Sequence, residues 1–335
     1  METRRTGGVH VLMLTQDVLR VSISDKCNLK CLYCRPHGDG EYASKENILK
    51  YEEIVRIIQL LTPLGIKRIR ITGGEPTLRR DAHLFISMLN TVQGIEDISL
   101  TSNGIALNDK LKLFKCAGLK RINISLDTLN KTTFTHITGF DGIDRVLESI
   151  DTALAVGLDP VKINVVPLKG INDSEALDFV QLAFDKKLHV RFLEYFYTNG
   201  NVIAHEKYFV SNDVFRRQII DKYGSLVRTH AIDGNGPARN YHIDGMRGSV
   251  GFLDLEKRDF CYRCRRLRLS SEGKLYLCLF SDEHLDIRKM LRTGMTEKEI
   301  RRQIELFLPK KEKYTLPGNE IYKTGYEFTM RAIGG

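Results

Sequence analysis

Residues 18–34 read VLRVSISDKCNLKCLYC, and this stretch joins two patterns of different kinds. From residue 18 to residue 23, apolar and polar side chains alternate, which predicts a β-strand with one buried face. Directly after it, Cys27, Cys31 and Cys34 follow the spacing C-x3-C-x2-C, with no histidine between or directly beside them. A structural zinc site is closed by a fourth Cys or His. The stretch therefore predicts a metal site that follows a strand and keeps one position open for a small molecule.

Further runs of β-branched and apolar residues predict additional strands, and amphipathic helical segments separate them. The predicted strands cover residues 18–23, 67–72, 97–102, 121–126, 161–166 and 189–195. Strands that alternate with helices imply a parallel sheet with right-handed crossovers. At this stage the pattern fits both a doubly wound sheet and a partial barrel.

The alternation within these strands gives one apolar face and one polar face. The polar face carries Arg20, Arg70, Thr101, Asn103, Asn123, Ser125, Lys162, Asn164 and Arg191. A filled barrel interior would carry apolar side chains there, and burial of unpaired charge is costly. The alternative, that each cation pairs with a carboxylate, is limited to two nearby acids, Asp127 and Glu194. The polar face therefore predicts an open barrel around a large anionic ligand.

After residue 199 the regular alternation of strands and helices ends. Ser211 is the predicted N-cap of a helix, and glycine-rich segments typical of short strands and turns follow it. Helices are predicted at about 285–308, and the chain ends in Gly334 and Gly335. The predicted fold class is α/β: an incomplete (β/α)6 barrel at residues 1–199, a C-terminal α+β extension at 200–308, and a tail at 309–335.

A second group of three cysteines lies in this extension. The segment CYRCRRLRLSSEGKLYLCLF contains Cys261, Cys264 and Cys278, again without a fourth cysteine. Between them, Arg266 and Arg268 alternate onto one side of a predicted strand. Arginine forks suit phosphate groups and purine edges, whereas a basic run elsewhere is usually a solvated surface. Two such groups in one chain predict two metal clusters, each with an open position.

Composition narrows the class of protein. Of 335 residues, 51 are Lys or Arg and 42 are Asp or Glu, a net charge of +9. This excess fits a nucleic acid, a phosphorylated small molecule or simply a basic surface. Seven cysteines without an export signal favour metal binding over disulfides, and Cys116 is expected to be a small buried residue. No apolar run reaches the length of a membrane span, so a cytoplasmic protein that does not bind membranes is expected.

The first cysteine motif, with Tyr33 before its last cysteine, resembles that of the radical S-adenosylmethionine (SAM) superfamily. The segment ITGGEP at residues 71–76 resembles the motif of that superfamily that contacts the methionine part of SAM. The resemblance implies a radical SAM barrel with a 4Fe–4S cluster on Cys27, Cys31 and Cys34. SAM would chelate the open iron and be cleaved to a 5′-deoxyadenosyl radical. The implied SAM contacts are Tyr33, Gly73, Gly74, Glu75, Asn103 and Ser125.

The whole set of motifs, from RIRITGGEPTLRRD to C-x2-C-x-R-x-R-x9-C-L and the terminal Gly-Gly, closely resembles the GTP 3′,8-cyclase (MoaA) family of molybdenum cofactor biosynthesis. The resemblance implies a second 4Fe–4S cluster on Cys261, Cys264 and Cys278, whose open iron contacts the guanine. The implied GTP contacts are Arg20, Arg70, Thr101, Lys162, Arg191, Arg266, Leu267 and Arg268. The residues implied to act in catalysis are Arg266, Arg268, Gly334 and Gly335.

The same resemblance implies the reaction and the partners. The radical would remove hydrogen from the ribose 3′ carbon of GTP, and that carbon would attack carbon 8 of guanine. The product, 3′,8-cyclo-7,8-dihydro-GTP, would pass to a MoaC-type cyclic pyranopterin monophosphate synthase. An electron donor is also required, the protein would be a monomer or a homodimer, and no nucleic acid is involved.

Two positions depart from the family pattern, and two other functions stay open. Arg35 and Phe196 stand where the family commonly has Met, and both positions belong to the SAM side. One alternative function is a radical SAM enzyme that uses an auxiliary cluster to modify a peptide or an RNA base. The other is a zinc-stabilised nucleic-acid-binding protein, which would carry its basic residues on exposed surfaces with aromatic residues between them.

Overall fold

A computed structural model describes residues 16–34, 42–195, 203–230, 238–254, 261 and 264–314. Within these residues, twelve strands form one sheet in the order β12-β11-β10-β1-β2-β3-β4-β5-β6-β9-β8-β7. The strands are β1 Val18–Ser22, β2 Arg68–Thr72, β3 Asp97–Ser102, β4 Arg121–Ser125, β5 Val161–Val165, β6 Leu188–Leu193, β7 Val227–Thr229, β8 Arg239–His242, β9 Ser249–Leu253, β10 Arg266–Leu269, β11 Lys274–Tyr276 and β12 His284–Asp286.

Strands β1 to β6 are parallel and stand side by side in the order of the chain. In a doubly wound sheet the strand order reverses at a switch point, and no reversal occurs here. The partial-barrel alternative is therefore the correct one. All six predicted strands are present, with boundaries that differ from the prediction by two residues or fewer.

The C-terminal part of the chain extends this sheet at both edges. β10 pairs in parallel with β1, with Arg268 opposite Arg20, and β9 pairs in parallel with β6. Antiparallel strands then continue each side outward. An open sheet edge presents unpaired backbone groups, and here the C-terminal strands satisfy them. The predicted boundaries at residues 199 and 308 stay a prediction, and residues 196–202 and 315–335 lie outside the described part of the chain.

The helices cover the apolar face of the barrel strands. They are α1 Tyr51–Leu61, α2 Ala82–Asn90, α3 Leu111–Cys116, α4 Lys131–Thr138, α5 Ile143–Ala155, α6 Ala176–Asp185, α7 His205–Tyr208, α8 Asn212–Tyr223, α9 Ile287–Arg292 and α10 Glu297–Phe307. Short 3-10 helices lie at Thr62–Leu64, Pro76–Leu78, Asn108–Lys110 and Leu308–Tyr314. Ser211 caps α8 by accepting a hydrogen bond from the backbone N–H of Asp213, as predicted. None of the helices within these ranges has the length and hydropathy that crossing a bilayer requires.

The apolar face of the strands forms the core, as the alternation predicts. Ile69, Ile71 and Ile163 are fully buried or nearly so. The prediction for Cys116 is wrong, because this residue is exposed at the end of α3. Leu111 and Phe114, one helical turn apart, take the buried side of that helix and leave Cys116 on the outer side.

Candidate active site

One cavity of about 350 Å³ is lined by both cysteine groups. We call Cys27, Cys31 and Cys34 the first trio, and Cys261, Cys264 and Cys278 the second trio. The other predicted site residues that line the cavity are Arg20, Tyr33, Arg70, Gly73, Gly74, Thr101, Asn103, Ser125, Arg191, Arg266 and Arg268. Glu75, Lys162 and Leu267 do not line it. Gly334, Gly335, Arg35 and Phe196 lie outside the described residues.

The two trios stand at opposite ends of the barrel strands. The first trio follows the carboxyl end of β1. Arg266, two residues after Cys264, pairs with Val18 at the amino end of β1. Strand β11 runs antiparallel to β10, with Tyr276 opposite Arg268. Cys278, two residues after Tyr276, therefore returns to the amino end of β1, near Arg266. The five residues of β1 correspond to about 13 Å of strand, so the trios face one another along the cavity.

The glycine pair after β2 lets the first-trio loop pass at close range. The backbone N–H of Gly74 donates to the carbonyl of Ser24 at 2.6 Å, and that of Glu75 donates to the carbonyl of Lys26 at 2.7 Å. A Cβ on Gly74 would lie 2.3 Å from the carbonyl oxygen of Lys26. Since backbone atoms cannot give way easily, only glycine fits at this position. The Gly-Gly motif therefore fixes the path of the chain into Cys27.

The side chain of Glu75 does not contact the cavity. It is fully buried, and its carboxylate accepts from the N–H and hydroxyl of Thr77, the hydroxyl of Ser102 and the N–H of Asn103. Burial raises the pKa of this carboxyl, while these donors lower it. The Glu75 side chain does not line the cavity in this structure, and a contact between Glu75 and SAM stays a prediction. Glu75 holds the loop of Asn103, whose amide lies 3.8 Å from the sulfur of Cys27.

Tyr33 and Asp127 connect the first trio to the ends of β4 and β5. The Tyr33 hydroxyl donates to Asp127 at 2.6 Å, and the backbone N–H of Val166 donates to the other oxygen of that carboxylate at 2.8 Å. The ring of Tyr195 packs edge-on against Tyr33 with centroids 6.3 Å apart. Burial raises the pKa of Asp127 to about 6, against the effect of these hydrogen bonds. The sequence indicated Asp127 as one of two acids near the polar face, but nothing in it indicated Tyr33 as its partner.

The middle of the cavity is a concentration of positive charge. Burial and repulsion from neighbouring cations lower the pKa of Arg70 to about 10, that of Arg191 to about 9 and that of Arg268 to about 10. The pKa of Arg20 is also lowered, by burial and then by Arg268 and Arg70. The Arg191 guanidinium donates to Asn123 at 2.8 Å, an amide without charge. These cations confirm the polar face and favour an anionic occupant.

Lys162 is buried beside the cavity, and its contact with the substrate stays a prediction. It is 4% exposed and pairs in register with Asn123 and with His189. Burial, followed by repulsion from Arg191 and Arg70, lowers its pKa to about 6. At neutral pH the neutral amine is therefore favoured in the nucleotide-free protein, and in this structure the side chain does not line the cavity.

The second trio is surrounded by cations. Burial raises the pKa of Cys264, but Arg266 and Lys311 outweigh it and lower that pKa to about 6. Lys311 lines the cavity and was not predicted, since no pattern separates it from Lys310 and Lys313 in PKKEKY.

Leu267 was predicted to contact the nucleotide, and its side chain points the other way. Strand alternation places Arg266 and Arg268 toward the cavity, whereas Leu267 is fully buried in the apolar core. Any contact of Leu267 with a ligand in the cavity must therefore come from its backbone.

Each trio offers the thiolate donors that iron–sulfur clusters use. Among the described residues, no three His, Cys, Asp or Glu side chains converge on a point that could hold one metal ion. Mononuclear zinc needs thiolates at about 2.3 Å from one atom, whereas each thiolate of a 4Fe–4S cluster binds a different iron. Backbone N–H groups also approach the sulfurs, from Leu29 to Cys27 at 3.5 Å and from Phe280 to Cys278 at 3.4 Å. Such donors are typical of iron–sulfur sites.

Comparison with known proteins matches both halves of the chain to family models. A family model described as the Radical SAM superfamily matches residues 21–183, and one described as Molybdenum Cofactor Synthesis C matches residues 188–316. A GTP 3′,8-cyclase of Petrotoga mobilis is 43% identical over 286 residues, which are 84% of this chain and 88% of that protein. The chain belongs to the GTP 3′,8-cyclase family. The mitochondrial GTP 3′,8-cyclase of Arabidopsis thaliana is 38% identical over 319 residues, 95% of this chain and 80% of that protein.

A solved structure with the same fold supports the barrel. The crystal structure of SuiB from Streptococcus suis bound to S-adenosylmethionine has a TM-score of 0.62 and covers 86% of this chain and 68% of that one. At 15% identity, this likeness concerns the fold alone. Radical SAM GTP 3′,8-cyclases use SAM and two 4Fe–4S clusters, so the predicted enzyme class and cofactors are confirmed. Neither the zinc alternative nor the peptide or RNA alternative is favoured.

Proposed function

We propose that this member of the GTP 3′,8-cyclase family converts GTP to 3′,8-cyclo-7,8-dihydro-GTP, the first step of molybdenum cofactor biosynthesis. The observation that carries the proposal is a single cavity lined by both cysteine trios, with buried cations between them. A cyclisation within one nucleotide requires the radical source and the base-binding site to share one enclosed space. A surface zinc site would require no such cavity.

The first trio would hold the 4Fe–4S cluster that binds SAM. Gly73, Gly74, Asn103 and Ser125 line that end of the cavity, together with Tyr33. When bound, this cluster supplies the electron for reductive cleavage of SAM, which starts the radical chemistry. The protein contributes a fixed loop, because the glycine pair and the Tyr33–Asp127 hydrogen bond leave the chain little freedom there.

The triphosphate of GTP would occupy the cation-rich middle of the cavity. Arg20, Arg70 and Arg191 all line the cavity, and repulsion from Arg70 and Arg191 lowers the pKa of Arg20, while repulsion from Arg70 lowers that of Arg191. A triphosphate carries about four negative charges at neutral pH and would relieve this repulsion. Thr101 adds a hydroxyl on the same surface. The negative charge of the triphosphate would favour the protonated form of Lys162, whose pKa is lowered to about 6 in its absence.

The guanine would lie at the second trio, which would hold the other 4Fe–4S cluster. Arg266 and Arg268 are directed into the cavity beside Cys264 and Cys278. Planar guanidinium groups match phosphate oxygens and purine edges. We assign them to hold the base and the reacting ribose in place, and we assign Gly334 and Gly335 to the same site.

The remaining parts of the proposal concern the surroundings of the enzyme. The product would be consumed by a MoaC-type synthase, and a separate protein would supply the electron. We propose a cytoplasmic enzyme that acts as a monomer or a homodimer and binds neither membranes nor nucleic acid. The net charge of +9 is then explained in part by the cavity.

One experiment tests the proposal directly. The protein is reconstituted with iron and sulfide without air, then incubated with SAM, dithionite and GTP. We expect 5′-deoxyadenosine and a cyclised nucleotide of the same mass as GTP, detected by chromatography and mass spectrometry. Bound zinc without sulfide, or 5′-deoxyadenosine without any GTP-dependent product, would contradict the proposal.

A further inference from the structure

Lys311 is a buried ammonium group that spans the two halves of the second trio. It lies in the 3-10 helix Leu308–Tyr314 and is 2% exposed. Its Nζ donates to the carbonyl oxygen of Arg266 at 2.9 Å and to that of Leu277 at 2.6 Å. It also lies 3.8 Å from the sulfur of Cys264. Cys264 belongs to the C-x2-C half of the motif, and Leu277 directly precedes Cys278.

These contacts use the full hydrogen-bonding capacity of the side chain. A lysine ammonium has three N–H donors and no acceptor, and three partners are present. Lys311 therefore has no donor left for a nucleotide in the cavity, although it lies at the cavity wall. Its position indicates that it acts on the protein and on the cysteines rather than on the substrate.

The negative charge that compensates Lys311 comes from sulfur. In the described part of the chain, no carboxylate lies within ion-pair distance of Nζ, whereas the neighbouring Lys310 and Lys313 both pair with Glu283. The sulfur of Cys264 lies 3.8 Å from Nζ, and the carbonyl of Leu277, which directly precedes Cys278, accepts from Nζ at 2.6 Å. A buried charge without a counter-charge is strongly unfavourable. The thiolates of the second trio are the counter-charge that the structure provides.

We propose that Lys311 is a positioning residue of the second cluster, which joins the C-x2-C half of its ligand set to Cys278 and offsets the negative charge of the cluster. This inference rests on the proposed function only in that the second trio holds a 4Fe–4S cluster. A cation that donates to a cluster thiolate stabilises the more negative, reduced state and raises the reduction potential. Lys311 thus sets both the assembly and the potential of this cluster.

The test uses three variants of the full chain, each reconstituted without air. Lys311→Met keeps the length of the side chain and removes its charge and donors, while Lys311→Arg keeps the charge. Lys310→Met is the matched control, since Lys310 is exposed and pairs with Glu283. Each change is also made together with Cys27→Ser, Cys31→Ser and Cys34→Ser, so that only the second cluster contributes to iron content and to the EPR spectrum.

We expect Lys311→Met either to lose the iron of the second cluster or to retain it in a less reducible form. In the second case, the ratio of reduced to oxidised cluster at a fixed potential falls about tenfold. This change is equivalent to a reduction potential lower by about 59 mV for a one-electron couple. Lys311→Arg recovers most of that ratio, and Lys310→Met equals the parent protein. A Lys311→Met protein with full iron and an unchanged EPR titration overturns the proposal.

A measurement without a Lys311 variant covers the case in which these variants do not fold. The parent protein and a Cys261→Ser, Cys264→Ser, Cys278→Ser variant are treated with an amine-acylating reagent, and modified lysines are identified by mass spectrometry. We expect Lys311 to be at least tenfold less modified when the second cluster is present, and Lys310 and Lys313 to be modified equally in both proteins. Equal protection of Lys311 in both overturns the proposal. These results can be distinguished from a failure of the proposed function. If the proposed function were wrong, the second trio would bind no iron–sulfur cluster even in the parent protein.

Discussion

The two cysteine trios have the same donors but opposite electrostatic surroundings. At the first trio, burial raises the pKa of Cys31 well above its ordinary value, and Cys34, Asp127 and Cys27 raise it further. At the second trio, burial also disfavours the thiolate, yet Arg266 and Lys311 lower the pKa of Cys264 to about 6. Charged neighbours therefore add to the effect of burial at Cys31 and oppose it at Cys264, although burial still raises the pKa of Cys278 in the second trio.

This difference indicates that the first site is suited to SAM cleavage and the second to nucleotide binding. Negative surroundings disfavour the addition of an electron to a cluster, which keeps its potential low, and a low potential is what the cleavage of a sulfonium needs. Positive surroundings suit a site that receives a polyanionic nucleotide. The cations are thus concentrated in the middle of the cavity and at the second trio, where the nucleotide is proposed to bind, whereas the buried carboxylate of Asp127 lines the cavity beside the first trio.

The strongest test of this division is removal of each trio in turn. Substitution of Cys27, Cys31 and Cys34 by Ser should abolish 5′-deoxyadenosine formation. Substitution of the second trio by Ser should leave SAM cleavage within about tenfold of the parent and abolish the cyclised nucleotide. Cys116→Ser is the control, because Cys116 is exposed and far from either trio in the sequence. Loss of SAM cleavage in both triple variants would show that the sites are not separate.

Removal of single cations at the second trio should give the next largest effect. Arg266→Ala and Arg268→Ala should each lower the yield of cyclised nucleotide about 100-fold or more, the range seen when a preorganised donor is removed. SAM cleavage should continue, since neither residue contacts the first trio. Arg265→Ala is the matched control: this side chain is 36% exposed, faces away from the cavity and lies 3.3 Å from Asp17. If the control and the two variants behave alike, the alternation of RRLR does not determine function.

Gly74→Ala should damage the first site and spare the second. The added methyl group would lie 2.3 Å from the Lys26 carbonyl, so the first-trio loop must shift. We expect SAM cleavage to fall at least about tenfold and the free energy of unfolding to fall by about 1–3 kcal/mol. Iron at the second trio should be retained in a protein that also lacks the first three cysteines.

Gly157→Ala provides the comparison for that change. Gly157 has a left-handed φ of 73° with open space around it, so alanine there costs only backbone strain, about 1 kcal/mol. SAM cleavage should not change. Equal losses of SAM cleavage in the two alanine variants would mean that the close approach at Gly74 has no special role.

Much of the fold could be predicted because its signals are local. The alternation of apolar and polar side chains, with a period of two residues, predicts each barrel strand. It also assigns Arg20, Arg70 and Arg191 to the inner face. The cysteine spacings and the Gly-Gly motif are equally local. By contrast, the pairing of β9 and β10 with opposite edges of the barrel joins segments that are distant in the sequence, and no local pattern encodes it.

What the sequence leaves open at the site has one physical cause. Alternation tells which face a side chain occupies, but not its depth along the barrel, which depends on the tilt and stagger of the strands. The face that Lys162 occupies could therefore be predicted, but its burial below the cavity surface could not. The acceptor capacity of Glu75 is used by Thr77, Ser102 and Asn103, and two of these are brought to it only by folding. Lys311 is one of several similar lysines, and only the tertiary structure distinguishes it.

The smallest expected effect concerns stability at the cation-rich centre between the trios. Burial and repulsion from Arg191 and Arg70 lower the pKa of Lys162 from 10.5 to about 6. Between these values the unfolded chain binds a proton that the folded protein has released, so this lysine destabilises the nucleotide-free protein. The penalty is complete below about pH 6 and diminishes as the pH rises toward 10.5.

Lys162→Met should therefore stabilise the empty enzyme, by about 1 kcal/mol or more at pH 7. Denaturant unfolding of parent and variant without nucleotide should show a larger difference at pH 7 than at pH 9, because the penalty in the parent is smaller at the higher pH. Lys187→Met is the control, since Lys187 pairs with Asp159 at the surface and its removal should change stability little at either pH. The prediction would be wrong if Lys162→Met were less stable than the parent, or if the difference in free energy of unfolding did not depend on pH. Either result would mean that repulsion among the buried cations does not destabilise the empty enzyme. The difference in electrostatic surroundings between the two trios would then be limited to the residues that contact them, and the middle of the cavity would not contribute to it.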